Sequence, residues 1–176
     1  NGAVKNWIFG RPLRTWHNGE MDAVFVKHIE ALGPQLDRLL TMAPVKPCHL
    51  PTQMPKCGVY LLSEVDRHLY VGRSNGIRGR IGRHCLPGAT HRMAAFAFRL
   101  ARVTTGNLRP SYKKGESSRA GLMEKPAFLK AFTEAKARIR EMDLRFVEEA
   151  DPVRQTLLEI YVSFVLGTPY NDFANH

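Results

Sequence analysis

The stretch Gly58–Gly72, GVYLLSEVDRHLYVG, constrains the fold more than any other part of the chain. Two runs of β-branched, aromatic and aliphatic residues flank a short polar segment, and each run is too short for a stable helix. The pattern predicts strands over about Gly58–Ser63 and Leu69–Arg73, joined by a polar turn at Glu64–Arg67. Side chains alternate along a strand, so a suitable register places Tyr60 and Tyr70 on one face. A lone hairpin is marginal in water and needs a further strand or a helical cover.

The rest of the chain supplies both. RIREMDLRFVEEA, residues 138–150, alternates well enough for a third strand, with Ile139, Met142, Leu144, Phe146 and Val147 apolar. Helices are predicted from about Gly76 to Cys85, His91 to Val103 and Lys125 to Ala137. Asp151-Pro152 opens a last helix, an N-cap followed by proline at the first helical position, which runs to about Leu166 and stops at Gly167. Upstream, Val24, Ile29, Leu32, Leu36, Leu39 and Leu40 recur at helical spacing within Glu20–Met42, with a break expected at Gly33-Pro34. Residues 1–18, with Trp7, Phe9 and Trp16, read as irregular, and 43–57 as a proline-rich connector. The fold class is α+β, a small antiparallel sheet flanked by helices.

At 176 residues the chain suits one domain with its own core. No apolar run approaches the roughly 20 residues that span a bilayer. The first residues carry no signal-peptide core, so a cytoplasmic protein is expected. Three cysteines without framework spacing fit reduced thiols. A zinc site drawn from Cys48, His49, Cys57 and Cys85 is poorly supported by their spacing.

The formal net charge is +10, and it is segregated. Between Arg67 and Arg119 there are twelve Lys or Arg against one acid, Glu116, a net +11, whereas the remainder has fourteen basic and fifteen acidic residues. So localised a charge is a footprint for a polyanion. Solubility does not require segregation. The glycine-interrupted basic run also lacks the apolar face of a membrane-surface helix, so no membrane partner is expected. TTGNLRPSYKKGESSRAG, 104–121, reads as a mobile loop.

Several side chains around the strand pair suit phosphodiester chemistry. Arg80 and His84 are four apart in a predicted helix and share a face. Gln155, Glu159 and Ser163 form a polar stripe in the last helix, and Asn171 follows that helix. Phosphodiester hydrolysis needs an activated water, cations facing the phosphate and stabilisation of the leaving oxygen. Glu159 can hold Mg²⁺ (or Mn²⁺) together with substrate oxygens, because Mg²⁺ keeps most of its waters. Arg80 offers a planar fork to phosphate. The tyrosines and His84 can handle protons. Taken singly, each has a plainer reading: packing tyrosines, a solvated arginine, a surface glutamate, a turn asparagine. The set and its spacing carry the argument.

GVY at 58–60, YVG at 70–72 and Arg80 ten residues after the second tyrosine resemble the GIY-YIG endonucleases. His84 falls where that family has His or Tyr, and LLEIYVSFVLGTPYN resembles its glutamate-bearing helix, with Asn171 twelve residues after Glu159. The resemblance covers about Cys57–His91 and Arg138–Phe173. Val59 and Val71 replace the isoleucines of the family name. The resemblance implies a three-stranded antiparallel sheet flanked by helices and one divalent metal ion per active site. Glu159 would then be the metal ligand, and Tyr60 would help activate water. Tyr70 and Arg80 would engage the scissile phosphate, His84 would assist proton transfer and Asn171 would order the site. Arg73 matches a position often basic in the family.

On this reading residues 1–56 are an N-terminal extension and 57–176 the nuclease domain, interrupted by a basic insertion at about 91–137. The five residues after Asn171 leave no room for an appended recognition domain. Recognition is therefore expected from the insertion and the N-terminal helices, as in type II restriction enzymes of the family. Arg73, Arg78, Arg83, Arg92, Arg99, Arg102, Arg109, Lys113, Lys114 and Arg119 are the candidate DNA contacts. Those at 92–119 are expected to read base edges in the major groove, and a homodimer would cut both strands. The alternatives are a structure-specific repair or recombination nuclease and a non-catalytic DNA-binding module.

Overall fold

The computed structural model describes residues 21–108, 115–171 and 173, together with the backbone of 7–8 and 11–12. The elements in chain order are β1 (Trp7–Ile8), β2 (Arg11–Pro12), α1 (Ala23–Glu30), α2 (Leu32–Thr41), β3 (Gly58–Glu64), β4 (Arg67–Ser74), α3 (Ile77–Cys85), α4 (Ala95–Thr104), α5 (Arg119–Glu124), α6 (Pro126–Glu141), β5 (Asp143–Glu148) and α7 (Pro152–Leu166). β1 and β2 form a small antiparallel ribbon where the sequence suggested irregular chain. The remaining strands form one antiparallel sheet in the order β4-β3-β5. No helix among the described residues is long and apolar enough to cross a membrane.

Alternation along β3 divides the interior in two. Val59 and Leu61 join Val71 and Val147 in a smaller core with Leu32, Leu36 and Leu39 of α2 and Leu158 and Val162 of α7. Tyr60 and Leu62 face the other way, into a larger core built by α3, α4, α5 and α6. The segment expected as an insertion therefore makes a layer of the fold. Phe96, Phe98, Phe128 and Phe132 from it are all buried. Burial of such a side chain contributes about 1.5–3 kcal/mol.

The N-terminal helices break at Ala31, two residues before the expected Gly33-Pro34. Pro34 sits in the first turn of α2, where a missing N–H costs nothing. The Asp22 carboxylate accepts bonds from the Val24 and Phe25 amides and fixes the start of α1. α2 supplies the buried leucines, while Val24, Phe25 and Ile29 of α1 stay exposed. α6 runs four residues beyond the predicted end, so Ile139 is a helical core residue and not part of the third strand. α7 begins and ends as its sequence predicts: Asp151 caps it, Pro152 opens it, and Gly167 closes it with φ 59°.

The outer edge of β4 is covered by the segment after α7. The Asn171 carboxamide accepts from the Val71 amide at 2.9 Å and donates to the Val71 carbonyl at 2.8 Å. The Tyr170 amide donates to the Leu69 carbonyl. These bonds treat the C-terminal segment as a partial fourth strand and blunt an open edge.

Candidate active site

The β3–β4 register pairs Tyr60 with Gly72 and Leu62 with Tyr70. Both tyrosines therefore lie on the same face, as diagonal neighbours, with ring centroids 6.3 Å apart. Gly72 is where the sheet makes room. A Cβ there would overlap the hydroxyl end of the Tyr60 ring. The register shifts at Leu62/Ser63, a bulge that sets Leu69 and Tyr70 onto the larger core.

α3 delivers the next two groups. Tyr60 Oη lies 2.7 Å from His84 Nε2, and Arg80 Nε donates to the same oxygen at 3.3 Å. If Tyr60 donates its proton to Nε2, both contacts are used at once. His84 Nδ1 is buried with no hydrogen-bond partner among the described residues. Tyr60 and His84 are both fully buried. Burial, with a smaller contribution from Tyr70, raises the Tyr60 pKa far above that of a free phenol, so it is a neutral phenol at ordinary pH. Burial, with the nearby guanidinium groups of Arg80 and Arg83, pushes His84 down to about 3. Burial works against the charge of Arg80, but contacts with Tyr60 and Tyr70 outweigh it and raise its pKa, so it stays a cation between the two phenols.

α7 crosses the smaller core and brings Glu159 to the β4 edge from the other side. Glu159 Oε2 accepts from Arg73 Nε at 3.1 Å. Burial raises the carboxyl pKa, while Arg73 and then Arg80 oppose the shift. The polar stripe of α7 is satisfied along its length. The Gln155 carboxamide donates to the Glu149 carbonyl and to Asn75 Oδ1. Ser163 Oγ lies 2.8 Å from Thr168 Oγ1, whose hydroxyl donates to Asn171 Oδ1. Asn171 thus ties the end of α7 to the β4 backbone between Tyr70 and Gly72.

An open cleft of about 780 Å³ borders these groups. Tyr70, Glu159, Tyr170 and Asn171 line it from the sheet edge and α7, and Phe96, Arg99, Arg102 and Arg119 from α4 and α5. The Tyr70 ring stacks on Phe96 at 4.6 Å with an interplanar angle of 12°, which fixes its orientation. The sequence carried no signal for this partner, because Phe96 comes from the helical layer.

The structure thus gathers Tyr60, Tyr70, Arg73, Arg80, His84, Glu159 and Asn171. Among the expected DNA contacts, Arg99, Arg102 and Arg119 line the cleft. Arg78 is turned away, donating to the Pro51 and Thr52 carbonyls of the connector. Arg83 and Arg92 are exposed outside the cleft lining. Arg109, Lys113 and Lys114 lie outside the described residues, whereas most of the segment 104–121 is described and its last residues begin α5. Cys48 Sγ lies 3.1 Å from His49 Nδ1. Among the described residues, however, no group of three or more His, Cys, Asp or Glu is arranged to hold a metal ion.

The Tyr60–His84 pair has a pH signature. The folded state holds His84 near 3, below the 6.5 of the free side chain. The unfolded chain therefore binds the extra proton first, and this contribution to stability is lost as pH falls from about 6.5 toward 3. Melting temperatures measured over this range should decline more steeply in the wild type than in His84→Gln.

No protein-family model matches the chain, and no curated protein or solved structure is significantly similar to it.

Proposed function

We propose that the protein is a divalent-metal-dependent endonuclease of the GIY-YIG type that hydrolyses phosphodiester bonds of double-stranded DNA. The observation that carries this reading is the meeting of Tyr70, Arg80 and Glu159, from a strand, a helix and a distant second helix, beside a basic cleft. Packing alone gives no reason to bring a carboxylate and two guanidinium groups from separate elements to one sheet edge. Scissile phosphate held there meets the fork of Arg80 and the hydroxyl of Tyr70.

Glu159 suits a Mg²⁺ ion that retains waters and shares substrate oxygens, since one carboxylate suffices for such a site. Arg73 Nε pairs with that carboxylate at 3.1 Å. When bound, the ion supplies Lewis-acid stabilisation of charge on the phosphoryl oxygens. The reaction adds water across one P–O bond, and the proton lost by water ends on the leaving sugar oxygen. Tyr70 lines the cleft and is placed to relay it. Tyr60 and His84, fully buried, serve as positioning residues: Tyr60 Oη accepts from Arg80 Nε, and His84 Nε2 holds that oxygen in turn. In its fullest form the reading is a sequence-specific, type II restriction-like enzyme acting as a homodimer. Branch-specific cutting, or DNA binding without cutting, are the alternatives its tests separate.

The first test is digestion of duplex DNA by the purified chain with Mg²⁺ or with EDTA. Cutting in Mg²⁺ alone supports the proposal, and no cutting with any divalent metal ion removes it. Arg80→Lys should lose roughly a hundredfold in cleavage rate, because a point charge replaces neither the fork nor its contact with the phenols. Near-wild-type cleavage by this variant would take Arg80 out of the transition state.

A further inference from the structure

Glu159 and Arg80 come from helices on opposite faces of the sheet. α7 packs into the smaller core through Leu158 and Val162, and α3 into the larger one through Ile77 and Ile81. A metal ion on Glu159 and the fork of Arg80 have to act on one phosphate. In such a site a misplacement of about 1 Å costs roughly a hundredfold in rate. The Arg73–Glu159 pair is a poor clamp for that spacing, because it engages the carboxylate that the ion would share.

Gln155 lies one turn before Glu159 on the polar stripe of α7 and is 1% exposed. Its amide nitrogen donates to the Glu149 carbonyl at 2.7 Å and to Asn75 Oδ1 at 3.1 Å. The two hydrogens of a carboxamide are thereby both used. The first bond ties α7 to the chain leaving β5. The second reaches the short loop that joins β4 to α3, between Arg73 and Arg80. α3 starts after Gly76, which has no side chain to cap it, and the first amide of the helix, that of Ile77, donates to the Lys56 carbonyl. The entry of α3 is therefore held by bonds to other segments, and Asn75 carries the one that leads to α7. Asn75 itself is exposed, so core packing makes no demand on its side chain.

We propose that Gln155 is a positioning residue that acts through Asn75 to hold α3, and with it Arg80, at a fixed distance from Glu159. This rests on the nuclease reading above, and it gives the first polar residue of the α7 stripe the task of keeping the metal ligand and the phosphate fork in step. The bond joins two neutral groups remote from the carboxylate, so it survives when metal ion and substrate arrive.

The test uses the full chain and reads both cleavage and the DNA-free protein. Asn75→Ala removes the acceptor at an exposed position and should melt like the wild type. Its kcat on duplex DNA should fall roughly tenfold with KM unchanged. Asn75→Asp keeps the acceptor and should keep kcat, its added negative charge appearing as a raised KM. Gln155→Met keeps most of the volume without the donors and should lose at least as much kcat as Asn75→Ala. Adding Asn75→Ala to it should bring no further loss, because both changes break one bond. In the DNA-free protein, NMR follows exchange of the Arg80 Nε hydrogen, which Tyr60 Oη accepts. It should exchange roughly tenfold faster in Asn75→Ala and Gln155→Met, and at the wild-type rate in Asn75→Asp.

Unchanged Arg80 exchange in folded Asn75→Ala would overturn the proposal, whatever the cleavage rate. Losses that multiply in the double variant would also overturn it, because Asn75 would then act on DNA directly. If the exchange rates respond as expected but wild type cuts no DNA with any divalent metal ion, the link stands and the nuclease reading fails. If wild type cuts and neither kcat nor exchange responds, the link fails and the nuclease reading stands.

Discussion

Glu159→Ala is expected to abolish cleavage, with a fall of roughly three orders of magnitude or more in rate. Glu159 is the carboxylate of the cleft, and no other acid joins it in a metal-holding cluster among the described residues. Among the described residues that line the cleft, its loss leaves no carboxylate to hold a cation against the substrate. The fold should tolerate the change. The pair with Arg73 has side chains 20% and 44% exposed, and exposed pairs of this kind contribute only about 0–1 kcal/mol. DNA binding should persist or strengthen, because the substitution removes a negative charge from a basic cleft. The checks are a cleavage time course, a melt and an anisotropy titration on one preparation. Full activity in this variant would remove Glu159 from the mechanism.

The second large effect is expected at a residue that carries no chemistry. Gly72 faces Tyr60 across the strand pair, and a side chain there runs into the Tyr60 hydroxyl and ring. Tyr60 cannot yield, because His84 and Arg80 hold its oxygen and the larger core surrounds its ring. Gly72→Val should destabilise the protein by about 1–3 kcal/mol through overpacking. It should also slow cleavage by about a hundredfold, since displaced Tyr60 displaces Arg80. Gly76→Ala is the control, because a Cβ there meets nothing within 4 Å. If Gly72→Val melts and cuts like the wild type, Tyr60 does not position the site.

The sequence made part of this site legible. Alternation in GVYLLSEVDRHLYVG was enough to place two phenols on one face, since a hairpin leaves few registers. Arg80 and His84 share a helical face by spacing alone. Asp151, Pro152 and Gly167 marked the bounds of α7 through local chemistry that tertiary packing did not override. Other features were hidden because they depend on partners distant in sequence. Ile139 fits a strand pattern and a helix pattern equally well, and packing of α6 against α3 and α4 decides for the helix. The stacking of Tyr70 on Phe96 and the convergence of Arg99, Arg102 and Arg119 require α4 and α5 to fold back over the sheet. Composition showed a basic segment, but not that three of its arginines line one cleft. Gly72 stood within the YVG triplet, and its reason, a ring lying across it, appears only with the register.

The central claim is that this cleft cuts phosphodiester bonds. The most direct measurement is to digest a long DNA duplex with the purified protein in Mg²⁺ and sequence every new end. Discrete fragments whose ends share a short sequence are expected, formed only with the divalent ion and absent with Glu159→Ala. Duplex left intact in Mg²⁺ and in Mn²⁺ by folded protein, with branched DNA equally untouched, would contradict it.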